Sequence, residues 1–269
     1  KEELIKGMQR RLIQLIQWGV TTCEVKSGYG LSFDEEIKIL EAIKMTQELE
    51  PVSLIPTCLA AHTLPWEFSS QEDYLNMLME DLLPAIKSRD LAHRVDIFVE
   101  EGAFDIETSR KYLMKAKKLG FHLCLHADQF SSGGATLAAE VGAISADHLE
   151  VSNKKAWDAL ASSQTTPIVL PGASLGLGLP FAPARKILDK GLDLVIASDW
   201  NPGSAPMGDL LTQAALLGAA EKLTMAETLA SITTRAARAL RLNDRGTLVG
   251  GMRADIAIFP CDDLDRKST

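Results

Sequence analysis

The chain has 269 residues and a formal charge of −8, from 28 Lys and Arg against 36 Asp and Glu. With 46% hydrophobic and 24% charged residues it reads as a globular chain of one large domain or two ordinary ones, which excludes wholesale disorder. The acidic balance and 6% aromatic content argue against nucleic acid as a partner, paired or single-stranded. Cys23, Cys58, Cys124 and Cys261 show no CxxC spacing, so neither a disulfide framework nor a thiolate zinc site is expected. A reducing, cytoplasmic location follows from the same usage. Charges at Lys1, Glu2, Glu3, Lys6 and Arg10 leave no room for a signal peptide. Residues 168–184 carry no charge, but Pro171, Pro180 and Pro183 forbid a straight membrane helix. They read as a buried strand running into a Gly/Pro-rich loop, and no membrane partner is expected. The chain starts inside an amphipathic pattern without Met, as a fragment or trimmed chain does.

In chain order, Leu4, Ile5, Met8, Leu12, Leu15 and Ile16 recur at helical spacing. A short apolar strand over 20–25 ends at Lys26-Ser27-Gly28-Tyr29-Gly30. Ile37, Leu40, Ile43 and Met45 predict a second helix, stopping before Pro51. A strand over 52–59 leads to His62. Residues 70–88 read as a helix with Leu75, Leu78, Met79, Leu82 and Leu83 on one side. Strands follow over 95–99, 121–125, 143–146, 167–170 and 192–197, separated by helices over 106–119, from about 134, over 152–161 and over 182–190. Two helices, over 207–220 and 225–240, complete the series. Seven strands, each followed by a helix, predict a parallel α/β sheet. With an opening helix, the pattern fits a (β/α)8 TIM-like barrel whose first strand lies upstream; an open doubly wound sheet is the rival. The barrel occupies residues 1–244. Residues 245–269, with the alternation Ala254-Asp255-Ile256-Ala257-Ile258-Phe259, read as a hairpin belonging to a small composite β domain, a β-sandwich remnant.

Parallel barrels carry their chemistry at the carboxyl ends of the strands. The residues there are Lys26, Ser27 and Tyr29; His62; Glu100 and Glu101; His126, Asp128 and Gln129; Asp147 and His148; and Asp199 and Asn201. Three of the five histidines fall in this set. His126 and Asp199 are donors suited to zinc or iron. Read singly, His126 is equally a satisfied lining residue, and Asp199 an Asx turn capping the next helix. His122, His93 and Cys124 read as structural. Lys26 is either a Schiff-base or carbamate lysine, or the partner of Glu24 or another rim carboxylate. Adjacent strand residues point to opposite faces, so at most one of Glu100 and Glu101 enters the mouth. The glycines of Ser174-Leu175-Gly176-Leu177-Gly178 are weak evidence for a phosphate loop, since no Lys-Ser/Thr follows.

Five motifs in order, Lys26-Ser27-Gly28-Tyr29-Gly30-Leu31, Ala61-His62, His126-Ala127-Asp128-Gln129, Ser145-Ala146-Asp147-His148-Leu149 and Ser198-Asp199-Trp200-Asn201-Pro202-Gly203-Ser204, closely resemble those of the imidazolonepropionases. These enzymes belong to the metal-dependent amidohydrolase superfamily, and the resemblance runs from about Thr21 to Phe259. It implies hydrolysis of 4-imidazolone-5-propanoate to N-formimidoyl-L-glutamate in histidine degradation. It makes His126 and Asp199 ligands of one zinc or iron ion, and His148, Asp199 and Gln129 catalytic. Tyr29, His62, Gln129, Asn201, Gly203 and Ser204 become substrate contacts, and a homodimer the expected assembly. Two departures stand out. A first-strand His-x-His pair and an upstream arginine are missing, and Gln129 replaces the proton-shuttling Glu of many relatives. The rival readings are an aromatic-ring deaminase of the same superfamily, and a catalytically silent barrel fragment with a binding or oligomer-forming role.

Overall fold

The computed structural model describes residues 1–259. Its seven strands are β1 Thr22–Lys26, β2 Ser53–Ala61, β3 Arg94–Val99, β4 His122–Ala127, β5 Ser145–His148, β6 Thr166–Val169 and β7 Val195–Ile196. All are parallel and stand in sequential order, each hydrogen-bonded to the next. The twelve α-helices are α1 Glu2–Gln17, α2 Phe33–Leu49, α3 Gln71–Met77, α4 Leu83–Ser88, α5 Ile106–Lys118, α6 Gly134–Val141, α7 Lys154–Ala161, α8 Pro171–Leu177, α9 Ala184–Asp189, α10 Leu210–Ala220, α11 Met225–Ile232 and α12 Thr234–Ala239. All seven strands predicted before residue 200 are present.

The sheet is curled, and one contact proves it. Strands lie about 4.8 Å apart, so β1 and β5 would be about 19 Å apart in a flat sheet. Yet Lys26 Nζ at the end of β1 lies 2.6 Å from Asp147 on β5. Only a barrel-like curl lets one side chain cross that interval, which removes the doubly wound alternative. Among the described residues β1 and β7 are not paired, so the curl stays open between them.

Strand alternation sorts the side chains. Val95, Ile97, Val99, Leu123, Leu125, Ala146, Val169 and Ile196 pack outward with helix residues such as Leu40, Ile43, Tyr112 and Leu113 in the main core. The opposite parity carries Glu24, Lys26, Thr57, Arg94, Asp96, His126 and Asp147, a polar interior toward β1, β3, β4 and β5. Ile168 and Val195 line the β6–β7 side in a smaller apolar cluster.

Several boundaries differ from the sequence expectation. Lys26, His126, Asp147 and His148 lie within strands, because neighbouring strands extend the ladder to meet them. The Gly/Pro-rich stretch after β6 is helical: Pro171 sits at the first position of α8, where its missing N–H costs nothing, and Gly178 ends the helix at φ +68°. Helix 70–88 contains a π-helical turn over Leu78–Leu82. Helix 225–240 breaks at Thr233 into α11 and α12. The buried faces of α1 and α2 are narrower than their patterns, with Leu4, Ile16 and Met45 exposed. Residues 246–259 form no strand, because no segment among the described residues offers them a ladder. Instead Arg245 and Arg253 hydrogen-bond Ser53 at the start of β2, and Arg245 also binds Thr22 at the start of β1. The rest of the predicted hairpin lies outside the described residues. Among those residues no helix is long and apolar enough to cross a membrane, and Cys23, Cys58 and Cys124 are unpaired thiols.

Candidate active site

The loop after β1 is shaped by a buried carboxylate. Glu36, in the first turn of α2, accepts hydrogen bonds from the backbone N–H groups of Gly28 (3.0 Å), Gly30 (2.7 Å) and Leu31 (3.0 Å). Gly28 lies at φ +119° with a Cβ position only 2.7 Å from the Leu59 carbonyl, so no other residue fits. This loop sets the Tyr29 ring 5.4 Å from His62, which follows β2. His62 in turn lies 6.2 Å from His126, and His126 lies 5.1 Å from His148. Three histidines and a tyrosine from four strand ends thus face one space.

Electrostatics divide the imidazoles. Burial and the neighbouring His126 hold the His62 pKa below its ordinary value, favouring the neutral ring. Burial also opposes charge on His126, but the Asp96 carboxylate, whose Oδ2 is 3.1 Å from Nδ1, outweighs it and raises the pKa. Burial and the charge of Asp199 push the Tyr29 pKa upward, so the hydroxyl keeps its proton. His148 Nδ1 lies 3.7 Å from Glu150 Oε2, and Ser174 on α8 donates to the other oxygen of Glu150.

The two remaining loops are held by their own residues. Asp128 accepts from the N–H groups of Gly133 and Ala135 and so starts α6, while burial raises its pKa. Buried Glu100 receives Phe130 N–H at 2.9 Å and the Ser131 hydroxyl, fixing the segment that contains buried Gln129. Glu101, in the turn after β3, is exposed, so only Glu100 of the adjacent pair faces inward. After β7, the Asx turn belongs to Asn201 rather than Asp199: its Oδ1 accepts from Gly203 N–H and Ser204 N–H, both at 2.8 Å. Its Nδ2 donates to the Asp199 carbonyl, so Asn201, Gly203 and Ser204 build the turn. Gly176 lets α8 pass against the Ser204 backbone, which replaces the phosphate-loop reading with a packing role.

Of the eight described non-glycine residues with positive φ, five flank this space: Leu31, Asp128, His148, Leu149 and Asp199. Such backbone strain persists only where surrounding contacts enforce it, and it gathers at functional sites. Asp199 exerts its charge on both Tyr29 and His62. It is not part of the one three-ligand group found among the described residues, which is Asp96, His126 and Asp147 with donor atoms within 4.8 Å. Asp96 escaped the sequence reading, although an acid inside the apolar run Val95-Asp96-Ile97 is itself a signal. At the mouth, the His126 imidazole and the Asp199 carboxylate are the donor types that a zinc or iron ion takes. Lys26 takes the ion-pair reading: its Nζ is 2.6 Å from both Asp96 and Asp147, and 3.8 Å from Glu24. Burial disfavours its charge, but these carboxylates keep it firmly protonated. These contacts favour the ion pair over the Schiff-base and carbamate readings, both of which need a neutral amine.

A family model for the amidohydrolases matches residues 1–269. The chain belongs to the amidohydrolase family. It is 42% identical over 265 residues to the imidazolonepropionase of Bdellovibrio bacteriovorus, covering 98% of this chain and 61% of that protein. It is 40% identical to that of Caldanaerobacter subterraneus, covering 98% of this chain and 64% of the relative. The chain therefore spans less than two thirds of the length of these curated relatives. Among solved structures, an atrazine chlorohydrolase variant of Arthrobacter aurescens complexed with zinc and atraton superimposes with a TM-score of 0.72 at 15% identity, covering 94% of this chain and 63% of that one. A zinc-bound adenosine deaminase from Xanthomonas campestris gives 0.71 at 16% identity, covering 94% and 60%. At such identities the two structures speak for the shared fold alone.

Proposed function

We propose that the protein containing this chain hydrolyses the cyclic amide C–N bond of 4-imidazolone-5-propanoate, giving N-formimidoyl-L-glutamate. The observation that carries this reading is the 42% identity to an imidazolonepropionase along 98% of the chain. The convergence of Tyr29, His62, His126 and His148 on one space supports it. His126 and Asp199 are the proposed holders of a zinc or iron ion, which when bound supplies a Lewis acid that makes water nucleophilic near neutral pH. Asp199 accepts the proton as water adds to the ring carbon, then delivers it to the ring nitrogen as the C–N bond breaks. His148 donates a hydrogen bond to the oxygen on which charge develops. Gln129 cannot exchange protons, so it orients the substrate. His62, Tyr29 and the Asn201–Gly203–Ser204 turn offer polar contacts to the ring and propionate. Residues 245–269 are proposed to join a small composite β domain.

The test is loss of the imidazolone ultraviolet absorbance on incubation with the substrate. Asp199→Asn keeps the side-chain shape but removes the proton acceptor, so turnover should fall by about two to four orders of magnitude. Turnover within tenfold of the parent would assign the proton to another group. Release of ammonia from aminated purines or triazines, with the imidazolone untouched, would favour the deaminase reading.

A further inference from the structure

The interior charges contain an arrangement that the hydrolytic reading leaves unused. Asp96 is fully buried; its Oδ1 accepts the Ile97 N–H at 2.7 Å, while its Oδ2 faces both Lys26 Nζ and His126 Nδ1. Asp147 is also buried; its Oδ2 accepts from Lys26 at 2.6 Å, and its Oδ1 has no hydrogen-bond partner. Two carboxylates and an imidazole with donor atoms within 4.8 Å are a sufficient ligand set for a divalent cation. Between the carboxylates, however, stands an ammonium rather than open space. A divalent ion bound to the same oxygens would lie within a few ångströms of a like charge in a poorly solvated interior, where repulsion is strong.

We propose that Lys26 is the resident cation of the Asp96–His126–Asp147 group. It closes the group to divalent ions and pins Asp96 against Nδ1 of His126, so that this imidazole offers only Nε2 to the barrel mouth. Lys26 is then a positioning residue that selects where metal is held. A carboxylate facing the unused ring nitrogen is how histidine ligands are oriented. This goes beyond the hydrolytic reading; the mouth site it names rests on that reading's His126 and Asp199, whereas its test reads metal binding at the Lys26 group without turnover.

The experiment titrates the metal-free chain with Mn²⁺ alone, reading bound ion by calorimetry and electron paramagnetic resonance. Lys26→Met should bind one more Mn²⁺ per chain than the parent, and Lys26→Met combined with Asp147→Asn should lose that site by at least tenfold in affinity. Lys26→Arg, which keeps the cation, should gain none. A folded Lys26→Met chain that binds no additional ion overturns the proposal. Two buried carboxylates without their cation destabilise a fold, so the variant is also followed by circular dichroism. Recovery of its fold on adding Mn²⁺ supports the proposal, and failure to recover at saturating Mn²⁺ counts against it. Asp147→Asn in the parent background is an independent measurement. Unchanged Mn²⁺ binding, or none in either chain, fits a group already filled by Lys26. A tenfold loss shows that Asp147 is a ligand despite the ammonium and overturns it.

Discussion

At the scale of single residues, the site depends on carboxylates that do no chemistry. Glu36 has no exposed surface and holds three backbone N–H groups of the loop that carries Tyr29. Glu36→Gln keeps the volume but turns an amide donor toward groups that are themselves donors. Hydrogen bonds to a charged group each contribute about 1.5–3 kcal/mol, so the expected loss is about 2 kcal/mol or more in urea unfolding. A loss below about 0.5 kcal/mol would show that the loop is fixed by its glycines instead. A Glu at the start of a helix is ordinary in sequence, as first-turn acids complement the helix dipole. The readable signal was its register: Glu36 precedes Leu40 by one turn, on the buried face of α2. Asp96 and Asp147 are similar cases, charges inside short strands whose partner Lys26 comes from a distant part of the chain.

At the scale of elements, helix ends show how local chemistry and tertiary contact add. Thr224 and Glu227 form a reciprocal capping box at the start of α11, and Arg185 on α9 grips the same Glu227 with two hydrogen bonds. The hydrogen bonds from Arg185 and then Thr224 lower the Glu227 pKa from 4.5 to about 2. Because the folded value lies below the ordinary one, the stabilisation is complete above about pH 4.5 and disappears as pH falls through about 2. Glu227→Gln should therefore narrow its stability gap to the parent across that window, seen as converging melting temperatures. A gap that persists unchanged at pH 2 would mean that packing, not charge, makes the contact. Thr224-x-x-Glu227 is readable in the sequence as a cap, whereas the Arg185 grip across the α9–α11 junction is not.

At the scale of the whole molecule, the open side of the sheet is bridged by side chains. Trp18, after α1, meets Trp200, after β7, edge to face at 5.4 Å, and Gly208 leaves room for both rings. Aromatic pairs contribute about 0.5–1.5 kcal/mol beyond their buried area. A double-mutant cycle of Trp18→Ala and Trp200→Ala should give a coupling energy of about 1 kcal/mol in equilibrium unfolding. Strict additivity would show that the two rings act independently and that the curl is held elsewhere. The Arg94 guanidinium, which binds the Leu240 carbonyl, is a second tie between an early strand and a late helix.

The sequence by itself determined the seven strands, their alternation with helices and the loops that gather at one end, because periodicity and turn chemistry act over a few residues. In β4, His122, Cys124 and His126 alternate with Leu123 and Leu125, so the two faces were fixed before any partner strand was placed. It also supplied most of the candidate site, since His62, His126, His148 and Asp199 close recognisable strand ends. Only the tertiary structure decided that the sheet curls, because curl is a relation among strands far apart in the chain. The same curl decided the state of Lys26. Its ammonium is stabilised by carboxylates 70 and 121 residues away, and no local pattern carries charge across that separation. The turn after β7 was legible as a turn, yet which side chain closes it depended on competition between Asp199 and Asn201. Asn201 closes the turn with its own Oδ1. The Asp199 carboxylate, which the turn does not use, exerts its charge on Tyr29 and His62 instead.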